Sequence, residues 1–304
     1  PQLNLTLNDA ECYFFSDDQK SVDLSGNRYD FGLIYKSELD INTLTRTTLY
    51  ARYAKADSGN WSISNGVLTY NSTTTSGVLY SGTTATSTNI LVIPKYVSDG
   101  TEVTGFSGNT FANNLSGAKY VVLPGNCTQL GENAYSKLSD TTRIQLPANF
   151  NISGSAIFRN LAKNTYVSIN NHYEENSYSL ENNYISQNGA VYNSAKSILV
   201  YHPAKLEMSS DTMIQDSVTK IMSFACQNCD IGTIDLFYTN LNIVGSYAFE
   251  NCLSVSSFGL AQSSLVAQSI GKYAFNNANI NNVFSEKDNA FIGLLGEGAF
   301  YNCS

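Results

Sequence analysis

Apolar and polar positions recur along this chain in a fixed order, seen most clearly in Val244-Gly-Ser-Tyr-Ala-Phe-Glu-Asn-Cys252. The unit is an apolar residue, Gly, two variable places, Ala-Phe, two more variable places, and Cys. It returns as Ile270-Gly-Lys-Tyr-Ala-Phe-Asn-Asn-Ala278 and Leu295-Gly-Glu-Gly-Ala-Phe-Tyr-Asn-Cys303. Looser copies are Phe106-Ser-Gly-Asn-Thr-Phe111, Leu130-Gly-Glu-Asn-Ala-Tyr135 and Ser153-Gly-Ser-Ala-Ile-Phe158; in Ile221-Met-Ser-Phe-Ala-Cys-Gln-Asn-Cys229 a Cys takes the aromatic place. The ladder positions are Phe111, Tyr135, Phe158, Cys226, Phe249, Phe275 and Phe300, in steps of 24, 23, 68, 23, 26 and 25 residues. A period in the low twenties predicts a repeat solenoid.

About two dozen residues cannot bury an apolar face alone, whereas stacked coils share one core. Ala and Phe at fixed places therefore predict stacked small and aromatic layers. The Gly marks a tight turn or a close backbone approach. Two residues beyond the aromatic stand Asn113, Asn160, Asn228, Asn251, Asn277 and Asn302, with Lys137 breaking the column. Asn bonds nearby backbone and tolerates left-handed turns, so the column is read as structural.

Each coil is expected to supply one parallel strand. Leu91-Val-Ile-Pro94, Val121-Val-Leu-Pro124 and Ile144-Gln-Leu-Pro147 mark it, with Pro closing the ladder, and Val167-Ser-Ile169, Ile234-Asp-Leu236 and Phe258-Gly-Leu260 keep the alternation. The two-residue period sends the first and third residue of each triplet inward. Tyr120, Val122, Arg143, Gln145, Tyr166, Ser168, Thr233 and Asp235 then face solvent. Asn65-Gly66 between apolar runs predicts a hairpin, and Asn188-Gly189 a second. The second fills the 68-residue step as a hairpin insertion at about 173–206, expected to project from the stack.

The unit resembles the leucine-rich repeats of the BspA-like family of bacterial and protozoan surface proteins, over roughly residues 60–304. That resemblance implies a right-handed leucine-rich-repeat solenoid with coils of 23–26 residues, one strand per coil, and hairpin insertions. Residues 1–58 lack the repeat. Tyr13-Phe-Phe-Ser-Asp-Asp18, Tyr29-Asp-Phe31 and Thr48-Leu-Tyr-Ala-Arg-Tyr53 resemble the second half of a Listeria–Bacteroides (internalin B-type) repeat, over residues 9–55. The Gly-Trp-Tyr of such repeats and their first half are missing, and an N-terminal β cap fits the same stretch. The expected division is a small β-rich module at 1–58 and a repeat domain at 59–304.

Composition narrows the function. Charged residues make up 14 %, Tyr numbers 20, and the polarity comes mainly from Ser, Thr and Asn, as in β-rich extracellular proteins. A net charge of −8 disfavours nucleic acid, whose phosphates need a basic surface. No apolar run reaches bilayer-spanning length. The chain starts at Pro1 without a signal peptide and stops at Ser304 without a polar cap, which is read as a trimmed chain or an end-to-end contact. Sequons such as Asn4, Asn71 and Asn151 would carry glycans only in a eukaryotic host.

Catalytic and metal-binding signatures are absent. His172 and His202 lack metal-ligand spacing, and there is no nucleophile elbow, phosphate loop or dinucleotide fingerprint. Asp17, Asp18 and Asp23 lack calcium-loop spacing. Cys226-x-x-Cys229 has the form of a redox or zinc half-site, but the repeat register explains it: Cys226 replaces the ladder Phe. Cys229, Cys252 and Cys303 share their place with Leu138, Leu161 and Ala278, which fits buried thiols. No cofactor and no metal are expected. The family resemblance implies a non-catalytic, extracellular recognition or adhesion protein for protein or glycan. The other reading is a glycan-capture protein or accessory module serving extracellular carbohydrate-active enzymes. Tyr120, Arg143, Gln145, Tyr166, Thr233 and Asp235 are the candidate ligand contacts, with Tyr and Arg as anchors.

Overall fold

The structure is a computed structural model. It describes residues 12–16, 32–35, 50–54, 60–72, 78–81, 84–87, 90–93, 96–97, 99–111, 113, 115, 118–123, 129–138, 141, 143–146, 150–152, 156–161, 165–169, 184–187, 189–204, 214, 217–229, 234–235, 241–253, 255–259, 268–280, 283–284 and 292–304. The chain forms two compact units, residues 1–153 with 169–182, and residues 154–168 with 183–304.

The first unit opens with an antiparallel sheet in the order Gly32–Tyr35, Cys12–Ser16, Tyr50–Ala54, Val78–Ser81, Thr84–Ser87. Its last two strands come from beyond residue 58. The Asn65-Gly66 hairpin joins Trp61–Ser64 to Val67–Tyr70, with Trp61 opposite Tyr70. Both turn residues have positive φ, 51° and 76°, the geometry a two-residue turn needs to match strand twist. Trp61, Tyr70 and Phe111 form a buried aromatic cluster with centroids 4.6–6.4 Å apart.

Parallel strands Ile90–Val92, Tyr120–Val122 and Arg143–Leu146 lie side by side, with Tyr120 aligned to Ile90 and Arg143. Leu91, Ile93, Val121, Leu123, Ile144 and Leu146 are all buried, as the triplet alternation requires. Val122 departs from expectation: it is buried too, so the outer side of this strand is covered there. Alternation says which side a residue faces, and what lies over that side depends on the rest of the fold. A second parallel set, Gly105–Phe106, Gln129–Leu130 and Asn151–Ile152, runs beside the ladder turns.

The second unit holds a seven-stranded sheet in the order Tyr184–Gln187, Ala190–Asn193, Ile198–Tyr201, Lys220–Ile221, Ile243–Val244, Gln268–Ile270, Ile292–Leu295. The first three pair antiparallel and the remainder parallel. Ile234–Asp235, Val255–Gly259 and Val283–Phe284 form the other parallel set. Each coil therefore carries two short strands where the sequence predicted one. The extra strand has one inward residue per coil (Ile221, Val244 or Ile270), too few to leave an alternation signal.

The segment around the second Asn-Gly also corrects its expectation. Ala190, Val191, Tyr192, Leu199, Val200 and Tyr201 are buried, and Ile198–Tyr201 pairs directly with Lys220–Ile221. Residues 184–201 thus continue the sheet and core and do not project. No helix among the described residues is long and apolar enough to cross a membrane.

Candidate binding surface

The six sequence-predicted contacts do not form one described cluster. Tyr120, Arg143 and Gln145 belong to parallel strands of the first unit, whose register aligns Tyr120 with Arg143 and Val122 with Gln145. Tyr166 and Asp235 lie in strands of the second unit, Asp235 aligned with Ser257. The side chains of these five, and all of Thr233, lie outside the described residues.

The surface that is described in detail is the row of turns following each Gly in the second unit. Close coil packing begins at that Gly: a Cβ on Gly271 would stand 2.5 Å from the Ser246 amide nitrogen and 2.7 Å from the Gly245 carbonyl carbon. Backbone passes over backbone here, and no side chain fits between. Inside, Phe249, Phe275 and Phe300 stack with centroids 5.1 and 5.2 Å apart and planes within 6°. Cys226 fills the same slot one coil earlier, fully buried. In the first unit the ladder residues Phe111 and Tyr135 are buried, and Phe158 packs 4.9 Å from Tyr201 in the second.

In the turns ending at Cys229, Cys252, Ala278 and Cys303 two places take left-handed backbone, and the turns holding Asn133 and Asn160 have one each. One is the Asn column: Asn160, Asn228, Asn251, Asn277 and Asn302 have φ of 54–63°. Their side chains also join along the stack, each Nδ2 donating to the preceding Oδ1 at 3.1, 3.0 and 2.7 Å from Asn228 to Asn302. The other place holds Asn133, Phe224, Tyr247, Tyr273 and Gly298, with φ of 51–61°. Bulky side chains there cost roughly 1–2 kcal/mol each, partly offset by ring stacking worth about 0.5–1.5 kcal/mol. Phe224 stacks on Tyr247 at 5.0 Å and Tyr247 on Tyr273 at 5.5 Å. At Gly298 the row has no ring, and a Cβ there would strike the Tyr273 ring. Tyr301, from a neighbouring row, covers Tyr273 edge-on at 5.9 Å.

Polar groups are interleaved with these rings. Glu250 accepts from Gln227 at 2.8 Å and from Asn276 at 2.9 Å. Gln227 also accepts from the Asn160 amide at 3.1 Å. The Arg159 guanidinium lies over the Phe224 ring, 4.8 Å from its centre. Lys272 pairs with Glu297 at 2.8 Å, which raises the lysine pKa and lowers that of the carboxylate.

The thiols lie beneath this surface. Cys252 donates to the Cys226 carbonyl at 3.1 Å and Cys303 to the Phe275 carbonyl at 3.0 Å, so the last Cys of a turn ties itself to the coil before. Cys229 lies 3.9 Å from His202 Nδ1, which carries its proton toward the Pro203 carbonyl at 2.9 Å. The neighbouring Cys229 sulfur and burial push the Cys226 thiol well above its ordinary pKa. Cys226, Cys229, Cys252 and Cys303 are free thiols. Among the described residues no group of three or more His, Cys, Asp or Glu side chains is arranged to hold a metal.

The repeat is also matched by a family model, that of the BspA-type leucine-rich repeat region, in six copies over residues 104–198 and 191–304. The chain belongs to the BspA-type leucine-rich repeat family. Comparison with curated proteins returned no match. Among solved structures, the pneumococcal vaccine antigen PcpA is 16 % identical over 80 % of this chain and 77 % of its own, with a TM-score of 0.41. A leucine-rich repeat protein from Eubacterium ventriosum is 14 % identical over 75 % of this chain and 92 % of its own, TM-score 0.32. A leucine-rich cell surface protein from Faecalibacterium prausnitzii is 12 % identical over 79 % and 97 %, TM-score 0.36. In BspA-type terms, the Gly, Ala-Phe and Cys of the repeat are the close-approach point, the stacked layer and the thiol tie. The Asn ladder and ring row were not read from sequence as connections, because links between coils are invisible along one chain. Their only sequence trace is the recurrence of Asn and Tyr at fixed places.

Proposed function

We propose that this BspA-type protein is a non-catalytic recognition or adhesion protein of the cell surface, binding a protein or glycan of host or microbial origin through exposed faces of its coils. The family relationship supports this, since surface attachment is what the resemblance implies. The observation that carries it is the in-register alignment of Tyr120 with Arg143 on adjacent parallel strands, which juxtaposes two residue types that anchor interfaces. Tyr120, Arg143 and Gln145 form one proposed contact set, and Tyr166, Thr233 and Asp235 a second. The division into a 1–58 module and a 59–304 repeat domain belongs to the same proposal. A glycan array alongside a panel of extracellular matrix proteins tests it. With a ligand in hand, Tyr120→Ala combined with Arg143→Ala weakens binding at least tenfold at unchanged melting temperature. Silence across both panels rejects the recognition reading, and equal affinity in the double variant rejects this contact set.

A further inference from the structure

The turn face of the second unit has a chemistry of its own. Gly and Asn fill the first left-handed place without strain at Gly298 and Asn133, yet three consecutive coils put Phe224, Tyr247 and Tyr273 there. Backbone strain concentrated in one row at the margin of the core, with Phe224 buried and Tyr247 and Tyr273 half-buried, points to a use for that row. The rings stack on one another, so their faces are engaged, and the surface that this row offers belongs to the half-buried Tyr247 and Tyr273. Beside them the ladder asparagines spend one N–H and one lone pair on each other, leaving a second N–H and a second lone pair per amide. Such rows match a ligand rich in hydroxyls and extended along the stack.

Charge defines one end of the row. Glu250 is held by two amides, and Glu297 by Lys272. Arg159 is exposed and its guanidinium lies over the Phe224 ring, and among the described residues no carboxylate or hydrogen bond engages it. A guanidinium fixed in this way keeps its forked donors ready for a carboxylate at reduced entropic cost. The net charge of −8 and the flanking Glu250 oppose a polyanion, so the fit is to one carboxylate followed by neutral sugar units.

We propose that this face binds an oligosaccharide ending in a single acidic sugar. Arg159 takes the carboxylate, and the amide and tyrosine rows from Gln227 to Tyr273 take the hydroxyls. This assignment rests on the recognition reading above but uses a different surface and names the ligand class.

The test is calorimetric titration of the full chain with a sialylated tetrasaccharide, its desialylated counterpart and an oligo-glutamate peptide. Binding of the sialylated sugar is expected, at least tenfold tighter than the desialylated one. Arg159→Met keeps the packing on Phe224 and removes the charge, and should cost at least tenfold; Asn251→Gly keeps the left-handed backbone and should cost a few-fold. Melting curves establish that both variants are folded. Absence of sialoside binding, or equal affinity in Arg159→Met, overturns the proposal. Preference for oligo-glutamate overturns it in favour of an acidic protein partner. If Tyr120→Ala with Arg143→Ala abolishes sugar binding while Arg159→Met does not, the recognition reading stands and this one falls.

Discussion

In the first unit the Thr141 hydroxyl crosses between coils to donate to the Ala118 carbonyl at 2.8 Å, and Leu138 occupies the last place of its turn. In the second unit the last place holds thiols that reach the preceding coil, and the Asn ladder, ring row and Phe stack run beside them. Both units bury the same kind of apolar layer. Among the described residues the second unit shows continuous polar and aromatic rows outside that layer. Apolar contacts are non-directional and resist sliding weakly; hydrogen-bonded and stacked rows fix register. In the second unit, single substitutions in these rows can separate stability from alignment.

The largest effect is expected at Phe249→Ala. Removing a fully buried ring stacked on Phe275 should cost about 3–5 kcal/mol, read as a fall in the urea midpoint. Phe111→Ala in the first unit should cost a similar amount, because burial and not row membership sets the loss. A much smaller loss at Phe111 would break the parallel between the units. Next comes Gly271→Ala, where the added methyl meets backbone that cannot move aside, at a cost of about 1–3 kcal/mol.

Asn277 sharpens the comparison further. Asn277→Ala removes both ladder bonds and puts Ala at a φ of 59°, for a combined loss of about 1–3 kcal/mol. Asn277→Gly keeps the backbone easy and removes only the ladder. If the two variants melt together, the side-chain ladder carries the stability; if Gly matches wild type, the left-handed turn does. Alkylation gives a fourth check. Of the four described thiols, Cys303 should label first in the native protein, with Cys226, Cys229 and Cys252 protected, and all four should label after denaturation without reductant.

The smallest effect is expected at Lys272 and Glu297, both exposed. Glu297 has a lowered pKa in the folded state, so any stabilisation is present above its unfolded pKa and fades as pH falls through the folded value. Solvent screening keeps it slight. The melting temperature of Glu297→Gln should match wild type at neutral pH.

The apolar triplets and the Asn65-Gly66 hairpin were legible because each is a local pattern: alternation over three residues, or two adjacent residues of known φ preference. Burial of Val122, of Ala190, Val191 and Tyr192, and of Leu199, Val200 and Tyr201 was not, since it depends on what distant segments cover. The doubled strand was hidden for a related reason, as Ile243–Val244 has two residues and only its neighbours in space make it a strand. The candidate contacts on the sheet were chosen by alternation alone. The turn face emerged only when left-handed backbone, ring distances and amide bonds were seen together.

The fixed turn from Gly to Cys has a bearing on ancestry. Between Ile221, Val244, Ile270 and Leu295 the spacing is 23, 26 and 25 residues, while the segment from each of these to the last place of its turn keeps one length. The differences in length between these coils therefore fall in the connections, and the turn is the constant unit. A chain built this way can lengthen or shorten by whole coils through unequal recombination and return to register each time. Excising one full coil, residues 253–278, would bring Cys252 to the residue after Ala278 and restore every row, whereas losing one residue within a turn would misalign them all.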